Sequence, residues 1–489
     1  MKTPETRLAA PAGSEGRGFL SFDDAGGQKG SLVQVVLIST YELGRQPFGL
    51  ASPAAWLRKA GARVTCLDLA VEPLDEEAVR AAQVVAFYLP MHTATRIATR
   101  VAERVKVLNP DAHLCFYGLY ASMNEPLLRR LGANTVLGGE FEAGLGSVIE
   151  RLRAAPAGAK KVFQREPVVS LAKQRFLVPD RNGLAALSKY AQLEVGDGRS
   201  RTVGYTEASR GCKHLCRHCP VVPVYQGQFR IVQRDVVLED IKRQVAAGAE
   251  HITFGDPDFF NGIGHALALV RTLRTEHPHL TYDVTIKIEH LLKHAEHLTT
   301  LKETGCLFVT SAVESIDDRV LERLNKGHTR DDFLRVVRLC REAGLTLHPT
   351  FVAFTHWISI EGYQELLSLL AELDLIDHVA PIQLAIRLLI PAGSKLLELA
   401  EVQEIVGPFD ETALVYPWRH SDPRVDQLQG EIQALVRAAT ARGESRREIF
   451  AQVWLLAEQA AAGSPRPLPP PVEARAWATI PYLTEPWYC

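Results

Sequence analysis

One feature constrains the fold of this chain more than any other. Short apolar runs alternate with amphipathic helical segments, and the alternation occurs in two successive series. Such runs read as strands buried on both faces, and strand–helix alternation implies parallel sheets covered by helices. The first series runs from Val33 to about Ala155 and opens with V-Q-V-V-L-I-S. Further strands are expected near Arg63–Leu67, Val84–Leu89, His113–Tyr117 and Thr135–Leu137. Ser52 and Pro53 serve as the start signal of a helix over Ala51–Ala60. Ligands of such sheets bind outside the strand C-termini. Here that means the loops Ser39–Gly49, Pro90–Thr93, Gly118–Met123 and Gly138–Glu140.

The second series places strands near Val203–Ala208, His251–Phe254, Tyr282–Ile288, Leu307–Ala312, Thr346–Ala353 and Pro381–Leu389. That is too many units for a small doubly wound sheet. It suits a partial (β/α)6 barrel with its reactive face at the strand C-termini. The expected organisation is an α/β chain in five parts: a polar, Gly-rich leader over residues 1–30, a doubly wound parallel sheet over 31–155, a polar connector over 156–201, the barrel over 202–394, and a helical extension with an irregular tail over 395–489. In that tail S-P-R-P-L-P-P-P-V, from Ser464, is stiff and extended.

Composition excludes several classes. A net charge of -2 across 489 residues lacks the basic excess of a nucleic-acid surface. The sequence has no apolar run long enough to span a bilayer. Only three of the eight cysteines cluster, which points to metal or redox work in a cytoplasmic protein rather than to a disulfide scaffold. Cys66, Cys115, Cys306 and Cys340 read as small buried hydrophobes.

The cluster lies in R-G-C-K-H-L-C-R-H-C-P, Arg210 to Pro220. Its spacing lets Cys212, Cys216 and Cys219 wrap one iron–sulfur cube and leave one iron without a protein ligand, unlike a four-cysteine electron carrier. Gly211 lets the backbone turn closely at that point. Spacing alone also allows zinc, with His214 or His218 as fourth ligand. The position after the first barrel strand, where an active-site loop belongs, favours the cube.

C-x-x-x-C-x-x-C in this context resembles the radical S-adenosylmethionine (SAM) superfamily. The resemblance implies a [4Fe–4S] cluster on the three cysteines, SAM on the open iron, and reductive cleavage of SAM to a radical that attacks substrate. It also implies roles for other strand ends. G-D-P-D-F-F-N offers Asp256 and Asp258 to the methionine ammonium. T-I-K-I-E-H-L-L offers Lys287 and Glu289 to the SAM carboxylate or to substrate. T-S-A-V-E-S-I-D-D offers Glu314 to the ribose, with Ser311 and Ser315 beside it. I-R-L-L-I-P places Arg387 near polar substrate and Leu388 near adenine, and His218 also faces adenine. Lys326, in L-N-K-G-H-T-R, is expected at a loop surface.

The first domain and the F-L-V-P-D-R connector resemble the cobalamin-binding class of these proteins. The D-x-H-x-x-G signature is absent, and cobalamin stays open as an additional cofactor. The tail Y-L-T-E-P-W-Y-C resembles radical SAM proteins ending in C-U-A-E-P or C-C-A-E-P. That resemblance implies a chain continuing past Cys489 with selenocysteine, and Cys489 as a catalytic thiol. The expected function is radical modification of a small molecule, with an external electron donor such as flavodoxin or ferredoxin and with no nucleic-acid or membrane partner. The alternatives are an RNA methylthiotransferase, which needs a basic module and a second cluster, and a non-enzymatic cobalamin or iron–sulfur sensor.

Overall fold

The computed structural model describes residues 32–156, 158–195, 199–461, 467–468 and 482–484. Cys489 and the rest of the C-U-A-E-P-like tail beyond Thr484 lie outside the described residues, as does the leader.

Six parallel strands form the first sheet: β1 (Val33–Ser39), β2 (Ala62–Asp68), β3 (Val84–Tyr88), β4 (His113–Tyr117), β5 (Thr135–Gly139) and β6 (Val169–Ser170), in the order β2-β1-β3-β4-β5-β6. The period of two explains why every strand is apolar on both faces. Val35, Leu37, Val84 and Ala86 pack into one helix layer, and Val36, Ile38, Val85 and Phe87 into the other. The order reverses between β1 and β3, so the crevice lies beyond their C-termini.

The helix after β1 starts earlier than Ser52 and Pro53 suggest. It spans Phe48–Lys59, with Pro53 inside it. A proline there cannot donate to the carbonyl four residues back. The structure fills the gap from another strand, since the Tyr117 hydroxyl donates to the Gly49 carbonyl at 2.8 Å. Ser52 is released from capping and its hydroxyl donates to Glu142 at 2.7 Å.

The second sheet contains β7 (Gln192–Glu194), β8 (Ser200–Thr206), β11 (His251–Phe254), β12 (Thr281–Thr285), β13 (Cys306–Glu314), β14 (Thr346–Phe351) and β15 (Tyr482–Leu483), in the order β14-β13-β12-β11-β8-β7-β15. A separate antiparallel pair, β9 (Ser209–Gly211) and β10 (Phe229–Ile231), flanks the cysteine loop. The five strands from β8 to β14 are parallel and curl into a half-barrel, while β7 and β15 extend it antiparallel. The sixth barrel strand is reduced to a short 3-10 turn at Pro381–Leu384 and one parallel bridge, Phe354 to Arg387. The Gln383 side chain accepts from the Phe351 amide at 3.0 Å, taking the place of a ladder partner.

The connector binds the two sheets. Arg181 makes a bidentate pair with Asp240 at 2.9 Å and also donates to Gln46 and to the Tyr205 carbonyl. Phe176 is buried in the barrel's core. Helices Pro423–Ala441 and Arg446–Ala460, the second started by a Ser445–Glu448 capping box, bury their apolar faces in that same core. Among the described residues no helix is long and apolar enough to cross a membrane.

Candidate functional site

The cysteine loop leaves β9 at the C-terminal mouth of the half-barrel. Gly211 has φ +72°, and a Cβ there would run into the Tyr225 ring and come within 2.6 Å of the Gln228 carbonyl, so only glycine fits. Asp256, just beyond β11, anchors the loop's base by accepting from the Ala208 amide at 2.9 Å and the Ser209 hydroxyl at 2.5 Å. Its carboxyl is raised to about 7 by burial, against the pull of those two donors. Asp256 is thus committed to protein groups, and Asp258 is the carboxylate nearer the loop.

Cys212, Cys216 and Cys219 are free thiols on this one loop. Burial raises the Cys212 thiol and pushes Cys219 up to about 12, and ionisation of Cys216 would raise both further. Cys212 and Cys219 are thus poor thiolates alone and need a cationic centre beside them. A buried ammonium assists: Lys326 is only 3% exposed, and its charge lowers Cys219. The soft, convergent donor set fits an iron–sulfur cube.

Lys326 corrects the expectation of a surface lysine. Its ammonium donates to Glu314 at 3.3 Å, and His218 Nε2 lies 3.0 Å from the same oxygen. Glu314 ends β13 at φ +70°, after a register shift from Ala312, a conformation costly for a side-chain-bearing residue. Burial opposes its ionisation, but Lys326 and His218 outweigh that and hold it at about 2.

A second polar group borders the other side of the loop. Asp258 Oδ2 lies 2.6 Å from His290 Nδ1 and 3.4 Å from His214 Nε2. Burial works against Asp258, yet the two imidazoles hold it below the usual range. Lys287, also buried, reaches Glu289 at 3.1 Å and His214 Nδ1 at 3.2 Å. Cys212, His214 and Asp258 bring one ligand atom each within 4.8 Å of one another. His290 was missed from sequence, although it directly follows Glu289 in the quoted segment.

Three expected contacts fall elsewhere. Ser311 shares the helix-facing side of β13 with Val309 and Val313, because alternate residues point to opposite faces. The Arg387 guanidinium lies 3.6 Å over the Trp418 ring, pairs with Asp426 at 2.6 Å and donates to the Trp418 carbonyl. Leu388 is buried with Val320, Leu324, Ile390 and Trp418 in a separate apolar group. Ser315 stays near Glu314, but its hydroxyl accepts from the Asp317 amide at 3.1 Å and so shapes the next helix start.

The crevice of the first sheet meets the barrel beside the cysteine loop. Arg210 sits in it, 7% exposed, with Glu142 at 2.6 Å, Glu207 at 2.7 Å and Glu140 at 3.6 Å. Rings of Phe48, Phe141 and Phe176 surround its guanidinium at 5.0 to 5.7 Å. Tyr225 donates to Glu140 at 3.1 Å. Burial raises the Glu140 carboxyl to about 7 despite Arg210. The remaining cavity, 180 Å³, falls short of the roughly 300 Å³ at which small-ligand pockets begin.

A three-cysteine loop at the C-terminal mouth of a parallel half-barrel is the arrangement expected of a radical SAM domain. Residues 206–370 match the Radical SAM superfamily, so the chain contains a radical SAM domain. Hopanoid C-3 methylase of Methylococcus capsulatus is 25% identical over 329 residues, covering 64% of this chain and 62% of that protein. A tRNA-2-methylthio-N(6)-dimethylallyladenosine synthase of Desulfosudis oleivorans is 25% identical over 229 residues, covering 43% of this chain and 46% of its own length. The chain thus spans less than two thirds of either relative. Among solved structures, the cobalamin-dependent SAM radical enzyme OxsB, with aqua-cobalamin and SAM bound, superposes with a TM-score of 0.67 at 14% identity, over 84% of this chain and 67% of that one. The radical SAM methyltransferase TsrM from Kitasatospora setae gives a TM-score of 0.55 at 20% identity, over 70% and 71%. These two likenesses establish the shared architecture of sheet domain and half-barrel.

Proposed function

We propose that this chain is a cytoplasmic radical SAM enzyme that modifies a small molecule, with its cluster on Cys212, Cys216 and Cys219. The observation that carries the reading is the convergence of three coupled thiols and a buried ammonium on one loop, with two buried polar groups flanking it. When bound, the cluster and SAM supply an electron and a carbon-centred radical.

The protein's own groups bind and orient. The three thiolates hold the cluster, and Lys326 offsets part of their negative charge. Glu314, kept ionised by Lys326 and His218, is an acceptor suited to vicinal hydroxyls of a ribose. Asp258, flanked by His214 and His290, suits an ammonium. Lys287 suits a carboxylate, with Glu289 holding it in place. Asp256 positions the loop. The electron comes from an external donor of the flavodoxin or ferredoxin kind.

The similarity to the tRNA-modifying synthase favours a second reading, modification of RNA. The near-neutral charge weighs against it, because phosphate contacts supply most nucleic-acid affinity.

Anaerobic reconstitution with iron and sulfide, reduction and product analysis test the main reading. Reduced protein with SAM should yield 5′-deoxyadenosine, and Cys216→Ala should yield none. Intact SAM in the presence of a fully assembled cluster would refute the reading.

A further inference from the structure

A cavity of 540 Å³ lies inside the half-barrel, away from the cysteine loop. Its wall is built by strand residues that face the lumen: Asp283 and Thr285 of β12, Phe308 and Thr310 of β13, and His348 and Thr350 of β14. Thr285 precedes Lys287 by two residues, about 7 Å along an extended strand, and Thr310 precedes Glu314 by four. The inner end of the cavity therefore lies beneath the groups assigned above to SAM.

The wall offers polar groups with nothing to bond. Asp283 is already engaged, by Thr253 at 2.6 Å and His251 at 2.9 Å. The hydroxyls of Thr285, Thr310 and Thr350 make no side-chain hydrogen bond among the described residues. His348 stacks on Phe308 with centroids 4.4 Å apart, and its Nε2 is buried without a partner. Burial keeps this imidazole neutral. A buried polar atom left unpaired is costly, so His348 Nε2 calls for a guest that bonds to it, and the half-exposed threonines offer that guest further hydroxyls. Pro381, Ile382, Val436 and Ile449 make an apolar flank.

The mouth is cationic. Of its two acids, Asp377 is held by Arg447 at 2.6 Å and Glu444 by Arg442 at 2.7 Å. Arg446 lies 4.5 Å over the Tyr482 ring and donates to the Asp377 carbonyl at 2.5 Å, and neither it nor Arg437 makes a carboxylate salt bridge among the described residues. Tyr482 and Thr484 close one side.

We propose that this cavity is the substrate chamber and that it takes an amphipathic small-molecule acid, its hydroxyl- or amide-bearing end innermost and its anionic group at Arg437 and Arg446. The proposal rests on the functional reading above and adds the substrate class. The volume lies within the range of small-molecule pockets.

The fluorescent aromatic sulfonate 8-anilinonaphthalene-1-sulfonate is a probe of this class. Titrated into cluster-reconstituted protein, it should show one saturable site. Arg437→Glu, on the exposed rim, should weaken binding about tenfold, as expected for loss of one charge-assisted contact. Thr350→Trp should abolish binding by filling the chamber. Circular dichroism and the cluster absorbance check that each variant is folded. Undiminished affinity in both variants overturns the proposal. SAM cleavage is measured on the same unmodified preparation, which separates the two readings. Cleavage with variant-insensitive probe binding removes the chamber alone, and variant-sensitive binding without cleavage removes the enzymatic reading alone.

Discussion

The Lys326–Glu314 pair should behave as a coupled unit that stabilises the mouth of the barrel. The two groups are 3% and 8% exposed and 3.3 Å apart. At an effective dielectric constant of 20 their attraction is about 5 kcal/mol, and desolvation offsets part of it. A folded carboxyl near 2 against an ordinary 4.5 corresponds to about 3 kcal/mol. Lys326→Met leaves a buried carboxylate with only His218 and should cost about 3 kcal/mol. Glu314→Gln leaves a buried ammonium and should cost a similar amount. The double variant should cost less than the sum, with a coupling of about 2 kcal/mol or more. Chemical denaturation of the four metal-free proteins measures this cycle. The sign with pH is also fixed. Because the folded carboxyl is depressed, its contribution is complete above about pH 4.5 and is lost as pH falls through 2. Single-variant costs that add to within about 0.5 kcal/mol would show that the pair is not coupled and would refute the reasoning.

Gly211→Ala should prevent cluster assembly in otherwise folded protein, because the new Cβ meets the Tyr225 ring; iron and sulfide content with circular dichroism would show it. Tyr117→Phe removes the donor that satisfies the Gly49 carbonyl and should cost about 1 to 3 kcal/mol by denaturation. His113 is fully buried beside Thr135, and burial lowers its imidazole to about 4. Its depressed value means stability is full above about pH 6.5 and declines as pH falls to 4, by about 3 kcal/mol. His113→Gln should flatten that stretch of the stability profile, and an unchanged slope would assign it to other groups.

How far the sequence reaches can be judged residue by residue. The parallel sheets were legible because burial on both faces leaves continuous apolar runs such as Val35–Ile38. The cysteine loop was legible because a cube needs its thiols on one short segment. Side-chain partners across the fold were not. Lys326 looked like a loop lysine, since its burial depends on Glu314 turning back at positive φ after a register shift. That irregularity has no signature in T-S-A-V-E-S. Strand parity decided Ser311, which shares the face of Val309 and Val313. Arg387 was drawn away by Asp426 and Trp418, which arrive from the extension some 30 to 40 residues later. Pro53 looked like a helix start because the hydroxyl that makes it tolerable comes from β4. For Arg387 and Pro53 the deciding partner is distant in sequence.

The pairing of β15 with β7 has a consequence for the order in which the chain is made. The Gln192 amide donates to the Thr484 hydroxyl across 292 positions. At about 5 to 20 residues per second, the outer edge of β7 waits on the order of 15 to 60 s for its neighbour during synthesis. Until then it is an open strand edge, able to template pairing with another nascent chain. A segment made some 290 residues later is thus the one that makes the barrel sheet safe among its own copies.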